Sequence, residues 1–179
     1  MTDVLVCRSS SRPEAPAHVC RPVRTPGERA EHARIRREVF VAEQGLFEVD
    51  DADAYDDDPA TVHILGLVDG RPAGTVRLYP LHGPSVEPGL WKGDRLAVRR
   101  EYRRSGIGGP LVRHAVALAG SRGGTRMVAS VQVVNCTFFV RLGWTPVGEV
   151  FDLLGLPHQA MSIPLSIPQS IPQSKPLSR

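Results

Sequence analysis

The sequence predicts a mixed α/β domain in which helices flank a central mixed sheet. Three observations carry this reading. A strand, a basic glycine-containing loop and a helix follow one another from Arg95 to Ala119. Two apolar runs, Thr61 to Val68 and Gly74 to Tyr79, flank Asp69-Gly70, a dipeptide suited to a tight hairpin turn. Thr25-Pro26-Gly27-Glu28 reads as a capping box with proline in the first helical turn.

In chain order, Val19 to Val23 is expected as the first strand. The capped helix then runs to about Ala42 and is expected to bury Ala33, Ile35, Val39 and Phe40. An acidic loop and the hairpin follow, and Leu81 to Gly93 is expected as a loop. Leu96, Ala97 and Val98 form a short apolar run of the kind a buried strand shows. Gly109-Pro110 opens the next helix, where the missing proline N–H costs nothing. Met127 to Val133 is the next strand. A short helix from Cys136 to Leu142 stops at Gly143. Glu149 to Leu153 and His158 to Pro164 close the domain as a strand pair. The order β-α-β-β-β-α-β-α-β-β fits one sheet with helices packed on it.

A chain of 179 residues with 41% hydrophobic content suits one domain with a real core. Residues 1–17 are polar and contain proline, so a loose tail is expected there. Residues 165–179 repeat Ser-Ile-Pro, which forbids helix and interrupts strand pairing. The folded domain is therefore expected over 18–164. A net charge of +3 gives no argument for nucleic acid as a partner. No apolar run approaches the roughly 18 residues needed to span a membrane. Cys7, Cys20 and Cys136 show no metal-ligand spacing, so no metal is expected. Their odd number, with no secretory apolar segment, suits a reducing cytoplasm.

Charge is distributed unevenly. Arg95, Arg99, Arg100, Arg103, Arg104 and Arg113 surround the glycine loop, while Glu48 to Asp58 is acidic. Such a surface can steer a polyanionic cofactor and a cationic substrate to different mouths, or simply form two solvated patches. In the loop, Arg103, Arg104, Ser105, Gly106, Ile107, Gly108 and Gly109 combine cations with residues that let backbone approach a ligand. N–H groups at a helix N-terminus bind phosphate oxygens, so a pyrophosphate-bearing ligand is the natural guest. No Gly-Lys-Ser/Thr follows, which excludes a nucleotide P-loop. Leu111 stands where a dinucleotide fingerprint needs its third glycine.

This segment resembles the acyl-CoA site of the GNAT acetyltransferases, whose Q/R-x-x-G-x-G/A loop is matched by Arg103, Gly106 and Gly108. Phe138-Phe139-x-x-x-Gly143-Trp144 resembles the F-Y-x-x-x-G-F helix of the same enzymes. Val39-Phe40-Val41-x-Glu43-Gln44 and Gly155-Leu156-Pro157-His158-x-x-Met161 resemble the ElaA-type branch. The blocks GLWKGDRLAV and LPHQAM look closer still to an acetyltransferase family found beside nitrilase genes in actinobacteria and cyanobacteria, which suggests a setting in nitrogen metabolism. The resemblance implies the GNAT fold and acetyl-CoA as cosubstrate. It also implies transfer of acetyl to the amine of a small molecule by direct attack in a ternary complex. Leu96, Ala97, Val98 and Phe139 join the loop as expected cofactor contacts. Nucleic acid and membrane are not expected partners, and a homodimer stays open.

In many relatives the tyrosine of F-Y protonates the leaving thiolate. Phe139 stands at that position and carries no proton, so the acid is unassigned unless coenzyme A leaves as the thiolate, at a reference pKa of ~8.5. Three residues are candidates for the chemistry. Cys136 lies one helical turn before Phe139 and either faces the cofactor or serves as a small buried hydrophobe. His158, in the Leu-Pro-His turn, either transfers protons near neutral pH or braces the turn. Gln132, at a strand end, either positions water or substrate or packs. On the substrate side, Arg95 either anchors a carboxylate or pairs with the acidic loop. Asp51, Asp53 and Asp56 either recognise an ammonium or form a solvated loop. They are not an EF-hand, because Asp56 occupies the glycine position counted from Asp51.

A second resemblance concerns acyl-homoserine-lactone synthases, which share the fold. Arg36-x-x-Val39-Phe40, Asp51-x-Asp53-x-Tyr55-Asp56 and Gly74-Thr75-Val76-Arg77-Leu78-Tyr79-Pro80 follow their motifs in order, which places Arg77 among the expected substrate-side residues. Leu46 stands where that family has tryptophan, and no counterpart of its long C-terminal acyl-chain region is expected. A noncatalytic acyl-CoA sensor or interaction module is the alternative that Phe139 motivates.

Overall fold

A computed structural model of the protein describes residues 16–165. Most of both expected tails therefore lies outside the described residues. Among those described, seven strands form one mixed sheet in the order β1-β2-β3-β4-β5-β7-β6. The strands are β1 (His18–Pro22), β2 (Val62–Val68), β3 (Arg71–Pro80), β4 (Leu90–Val98), β5 (Arg126–Gln132), β6 (Thr145–Leu153) and β7 (Leu156–Pro164). The helices are α1 (Pro26–Arg36), α2 (Gly108–Ser121) and α3 (Cys136–Arg141). The expected α/β architecture is therefore the observed one.

Local signals place several elements. Asp69 and Gly70 both have positive φ, 49° and 76°, which the two-residue β2–β3 hairpin requires. Asp69 also anchors the segment leading into β1, since its Oδ1 accepts from Ala17 N at 2.9 Å. At α1, the Thr25 side chain accepts from Glu28 N at 3.1 Å. Glu28 completes only half of the expected box: its carboxylate takes Arg24 N at 2.7 Å and Arg21 Nη2 at 2.6 Å.

Helix α1 continues without a break into a π-helical stretch, Arg37–Glu43. Its buried stripe differs from the expected one. Ile35 and Val39 are buried, as the apolar pattern predicts, but Ala33 faces solvent, while His32 and Arg36 are buried instead. A methyl side chain leaves little area to bury, whereas Arg36 finds carboxylates beneath the helix. The expected loop from Leu81 to Gly93 also needs correction, because β4 begins at Leu90. Its first residues pair with β5, far along the chain, and such long-range pairing leaves little local signature.

The apolar residues divide into two clusters, one on each face of the sheet. Ile35, Val39, Leu65 and Ala97 pack under α1. The larger cluster lies under α2 and α3 and includes Ile64, Leu78, Trp91, Leu111, Met127 and Met161. Leu165, 7% exposed, belongs to it, so the core reaches the first residue of the expected C-terminal tail.

Two histidines on the α1 side make the fold sensitive to acid. His32 and His63 meet edge-to-face at 4.9 Å between ring centroids and are 0% and 7% exposed. Burial first, then the His63 ring and the neighbouring cations Arg36 and Arg29, push His32 down to about 3. Burial first, and then Arg29, push His63 down to about 4. The unfolded chain binds protons at both from about pH 6.5 downward, where the folded chain refuses them. Stability therefore falls as pH drops from 6.5 toward 4, by up to about 1.4 kcal/mol per pH unit for each histidine. Denaturant unfolding at pH 7, 6 and 5 checks this, and His32→Phe should flatten the slope. A profile flat across that window contradicts the account.

Candidate functional site

The site arises where the sheet opens. Strands β4 and β5 run parallel and pair only from Leu90–Lys92 to Arg126–Val128. Beyond that point they separate. A bulge in β4 contributes to the divergence. Thr75 pairs with Ala97 and Arg77 with Asp94, so Val76 faces both Arg95 and Leu96. Arg95 has φ of 52°, a left-handed conformation that is unusual for a side chain of this size. Thr75 Oγ1 donates to the Arg95 carbonyl at 3.1 Å and holds the bulge in place.

A cavity of about 210 Å³ fills the opening and reaches both faces of the sheet. Strand alternation sorts its walls. Lys92 and Asp94 of β4 share one face with Ser130 and Gln132 of β5. His158 of β7 lies opposite Gln132 in register and joins them. The π-helical segment and following loop cover this face with Phe40, Gln44, Leu46 and Phe47, and the β6–β7 hairpin adds Leu153 and Leu154. Gln132 Nε2 donates to Gln44 Oε1 at 3.2 Å, linking the cover to the strand end. On the other face the cavity meets Val112, Ala115, Met127, Phe139 and Trp144. Phe139 is buried edge-to-face against Trp144, at 5.4 Å.

His158 lies within strand β7 rather than in a turn; Leu154-Gly155 make the turn, with φ of 56° and 75°. Its Nδ1 is 2.9 Å from the Leu156 carbonyl. A carbonyl only accepts, so Nδ1 carries a proton, and Nε2 is the ring nitrogen left without a partner among the described residues. That contact fixes the ring's orientation on the polar face of the cavity. Cys136 does not line the cavity. It packs against the larger core, with its sulfur 3.9 Å from the Gln132 carbonyl.

The glycine loop lies between β4 and α2, after a 3₁₀ segment Arg100–Ser105. Gly106 has φ of 84°, and a Cβ built on it would meet no atom within 4 Å. Helix α2 has no side-chain cap, and the Gly108 N–H has no partner among the described residues. Arg104 is exposed beside the loop, and so is Arg103, whose Nη2 meets Glu43 Oε2 at 2.6 Å. Ser105 Oγ is engaged by the Tyr102 carbonyl and Ile107 N. An open backbone cradle, an uncapped helix N-terminus and nearby guanidinium groups suit a pyrophosphate. The structure also separates the expected contacts. Leu96 lines the cavity, and Val98 is half-buried against the larger core. Ala97 turns to the α1 face, and Ile107 is a core side chain at 0% exposure. Gly109 is buried, and a Cβ there would press on Arg113 at 3.3 Å.

Most of the acidic loop is exposed, but Asp51, Asp53 and Asp56 are not free: Asp51 is buried, Asp56 is half-buried, and all three are paired with arginines. Arg77, 0% exposed, reaches Asp53 at 2.6 Å and both Asp56 and Asp94 at 2.8 Å. Arg36 pairs with Asp51 at 2.8 Å and Asp56 at 2.5 Å. Arg95 pairs with Asp51 at 2.7 Å and Asp53 at 3.0 Å, and lies over the Phe47 ring. Burial raises the Asp56 carboxyl, but the hydrogen bonds and charge of Arg36, with Arg77 adding, outweigh it and hold the group below the usual carboxylate range. Burial lowers Arg77, yet its bonds to Asp94 and Asp53 outweigh that and raise it. Arg77, Asp53 and Asp56 thus form a scaffold behind the cavity wall rather than the wall itself, and only Arg95 and Asp94 of the network touch the cavity. Asp94, Lys92 and Ser130 escaped the sequence reading. Their i, i+2 spacing on two adjacent strands was the signal available.

Comparisons with known proteins agree with this geometry. The acetyltransferase (GNAT) family matches residues 30–144. A Bacillus subtilis (strain 168) protein named as an acetyltransferase is 29% identical over 129 residues, covering 72% of this chain and 84% of that relative. Among solved structures, Escherichia coli ElaA superposes with a TM-score of 0.69 at 21% identity, over 82% of this chain and 98% of that one. BjaI, described as a CoA-dependent acyl-homoserine lactone synthase with SAM and isopentyl-CoA, superposes with a TM-score of 0.65 at 22% identity, over 79% and 78%. At those identities the two structures speak for the fold alone, while the family match spans the sheet opening, the glycine loop and α3. The chain therefore belongs to the GNAT acetyltransferase family, a family of acyltransferases.

Proposed function

We propose that the protein is an acetyl-CoA-dependent N-acetyltransferase that modifies a small-molecule amine held in the cavity together with the cosubstrate. The observation that carries this reading is the cavity itself, which passes through the sheet from the face of α2 and α3 to the polar face with His158. A ligand seated with its pyrophosphate at Gly106–Gly108 can send its thioester arm into the opening, and an acceptor can approach from the opposite side. The bound thioester supplies the acyl group.

The residues of the chain have three tasks. Arg103, Arg104, Ser105, Gly106, Gly108 and Gly109 offer the cradle for the pyrophosphate, and Phe139 and Leu96 line the path inward. The edge of β4 beyond Lys92, unpaired by β5, offers backbone N–H groups to an oxyanion developing on the thioester carbonyl. His158 Nε2 takes the proton that the acceptor nitrogen must lose before it can attack. Phe139 can donate no proton, so the leaving sulfur departs as thiolate, which is tolerable for a thiol of pKa ~8.5. The position of Cys136 outside the cavity supports a packing role. The block resemblance to the nitrilase-associated branch supports a place in nitrogen metabolism.

A thiol-release screen with acetyl-CoA over a panel of amines, followed by mass spectrometry of the product, tests the proposal. Release of coenzyme A with a product heavier by one acetyl group supports it. Tight acetyl-CoA binding with no release over the panel favours the sensor reading.

A further inference from the structure

The acceptor face carries an unequal distribution of free charge. Four aspartates lie in or behind it, and each is taken up. Asp94 and Asp53 hold Arg77, Asp51 holds Arg36 and Arg95, and Asp56 holds Arg36 and Arg77 with Arg29 at 3.9 Å. Arg29, Arg36, Arg77 and Arg95 balance Asp51, Asp53, Asp56 and Asp94, four against four. No carboxylate of this network is left over for a cationic acceptor. Lys92 is different. It is half-buried, lines the cavity, and has neither an ion pair nor a hydrogen bond among the described residues. Its cross-strand neighbours, Tyr79 and Val128, offer it no counter-charge. A partly desolvated ammonium in a largely apolar cavity favours an anionic partner.

Resting on the acetyl-transfer reading above, we propose that the acceptor is an amine that also bears a carboxylate, and that Lys92 binds that carboxylate. The ion pair would position the amine toward His158 Nε2 across the cavity. The same balance disfavours polyamines and aminoglycosides, since among the described residues lining the cavity a second cation would meet Lys92 and no unpaired carboxylate.

The test pairs each substrate with its own neutral form. Amino acids, β-alanine and γ-aminobutyrate are assayed for thiol release beside their carboxamides, together with spermidine and phosphoethanolamine. The expected result is turnover of at least one amino carboxylate, with kcat/KM about ten- to a hundredfold above that of its carboxamide, the range of a hydrogen bond to a charged group. Lys92→Met should erase that preference through KM for the acceptor, with KM for acetyl-CoA unchanged, and Lys92→Arg should retain part of it. Preference for spermidine or for the carboxamides overturns the proposal while leaving acetyl transfer intact. So does a Lys92→Met protein with the parental melting temperature and an unchanged preference. Preference for phosphoethanolamine over every amino carboxylate also overturns it, by naming a phosphate in place of the carboxylate. Absence of thiol release from every amine, with acetyl-CoA bound, overturns the transfer reading and this proposal with it.

Discussion

If His158 is the base proposed above, His158→Gln should lower the turnover of acyl transfer by about 10²–10⁴-fold and leave acetyl-CoA affinity unchanged, because it would remove general-base catalysis from an otherwise intact cavity. The geometry makes the expectation specific. Nδ1 is committed to the Leu156 carbonyl, so the only lone pair of the ring is at Nε2. Glutamine keeps polarity and approximate size but cannot accept a proton near neutral pH. Steady-state rates across pH 6 to 9 check this, with calorimetry for the cosubstrate. The limb of the parent profile that reports the base should vanish in the variant. A brace without chemistry would give a different pattern, with a lower melting temperature, near-normal kcat and a parental pH profile. Cys136→Ala, outside the cavity, should cost little beyond packing.

The second large effect concerns stability. Arg77→Met should destabilise the fold by about 3–5 kcal/mol, the range for removing one partner of a buried ion pair. The methionine fills much of the space, so the loss is electrostatic. Asp53, Asp56 and Asp94 would face one another without the guanidinium that now bonds all three. For a chain of this length the melting temperature should fall by roughly 6–20 °C. Thermal unfolding near pH 7 reads it directly. A shift of only a degree or two would show the network to be dispensable. Because Asp53 and Asp94 also touch Arg95 at the cavity wall, the variant should lose activity together with stability.

Elements with local determinants were legible in the sequence. The Asp69-Gly70 turn, the Thr25 cap and the strand–loop–helix around Gly106 each follow from residues adjacent in the chain. The register that brings His158 beside Gln132 depends on pairing across 26 positions, and no local pattern encodes it. The start of β4 at Leu90 was hidden for the same reason, since its partner lies at Arg126–Val128. The bulge at Arg95 required a non-glycine residue at positive φ, contrary to its intrinsic preference. Arg77 shows a different limit. Pairing with the acidic loop is one expectation for Arg95, and only the fold reveals that Arg77 and Arg36 are neutralised by the same aspartates. On the cofactor side, the spacing of Arg103, Gly106 and Gly108 located the loop. It could not tell that the Ala97 side chain packs on the α1 face or that the Ile107 side chain lies in the core.

The central claim is that an acyl-CoA pyrophosphate sits against the backbone of Gly106–Gly108. The most direct measurement is calorimetric titration of acetyl-CoA into the parent protein, Gly106→Asp and Gly106→Asn. Both substitutions place a side chain of the same shape at φ of 84°, a conformation that Asn and Asp tolerate better than other residues. Only aspartate adds a negative charge. The account predicts that Gly106→Asp abolishes measurable binding in a folded protein, with Gly106→Asn intermediate. Unchanged acetyl-CoA affinity in folded Gly106→Asp would contradict it and move the cosubstrate to another site.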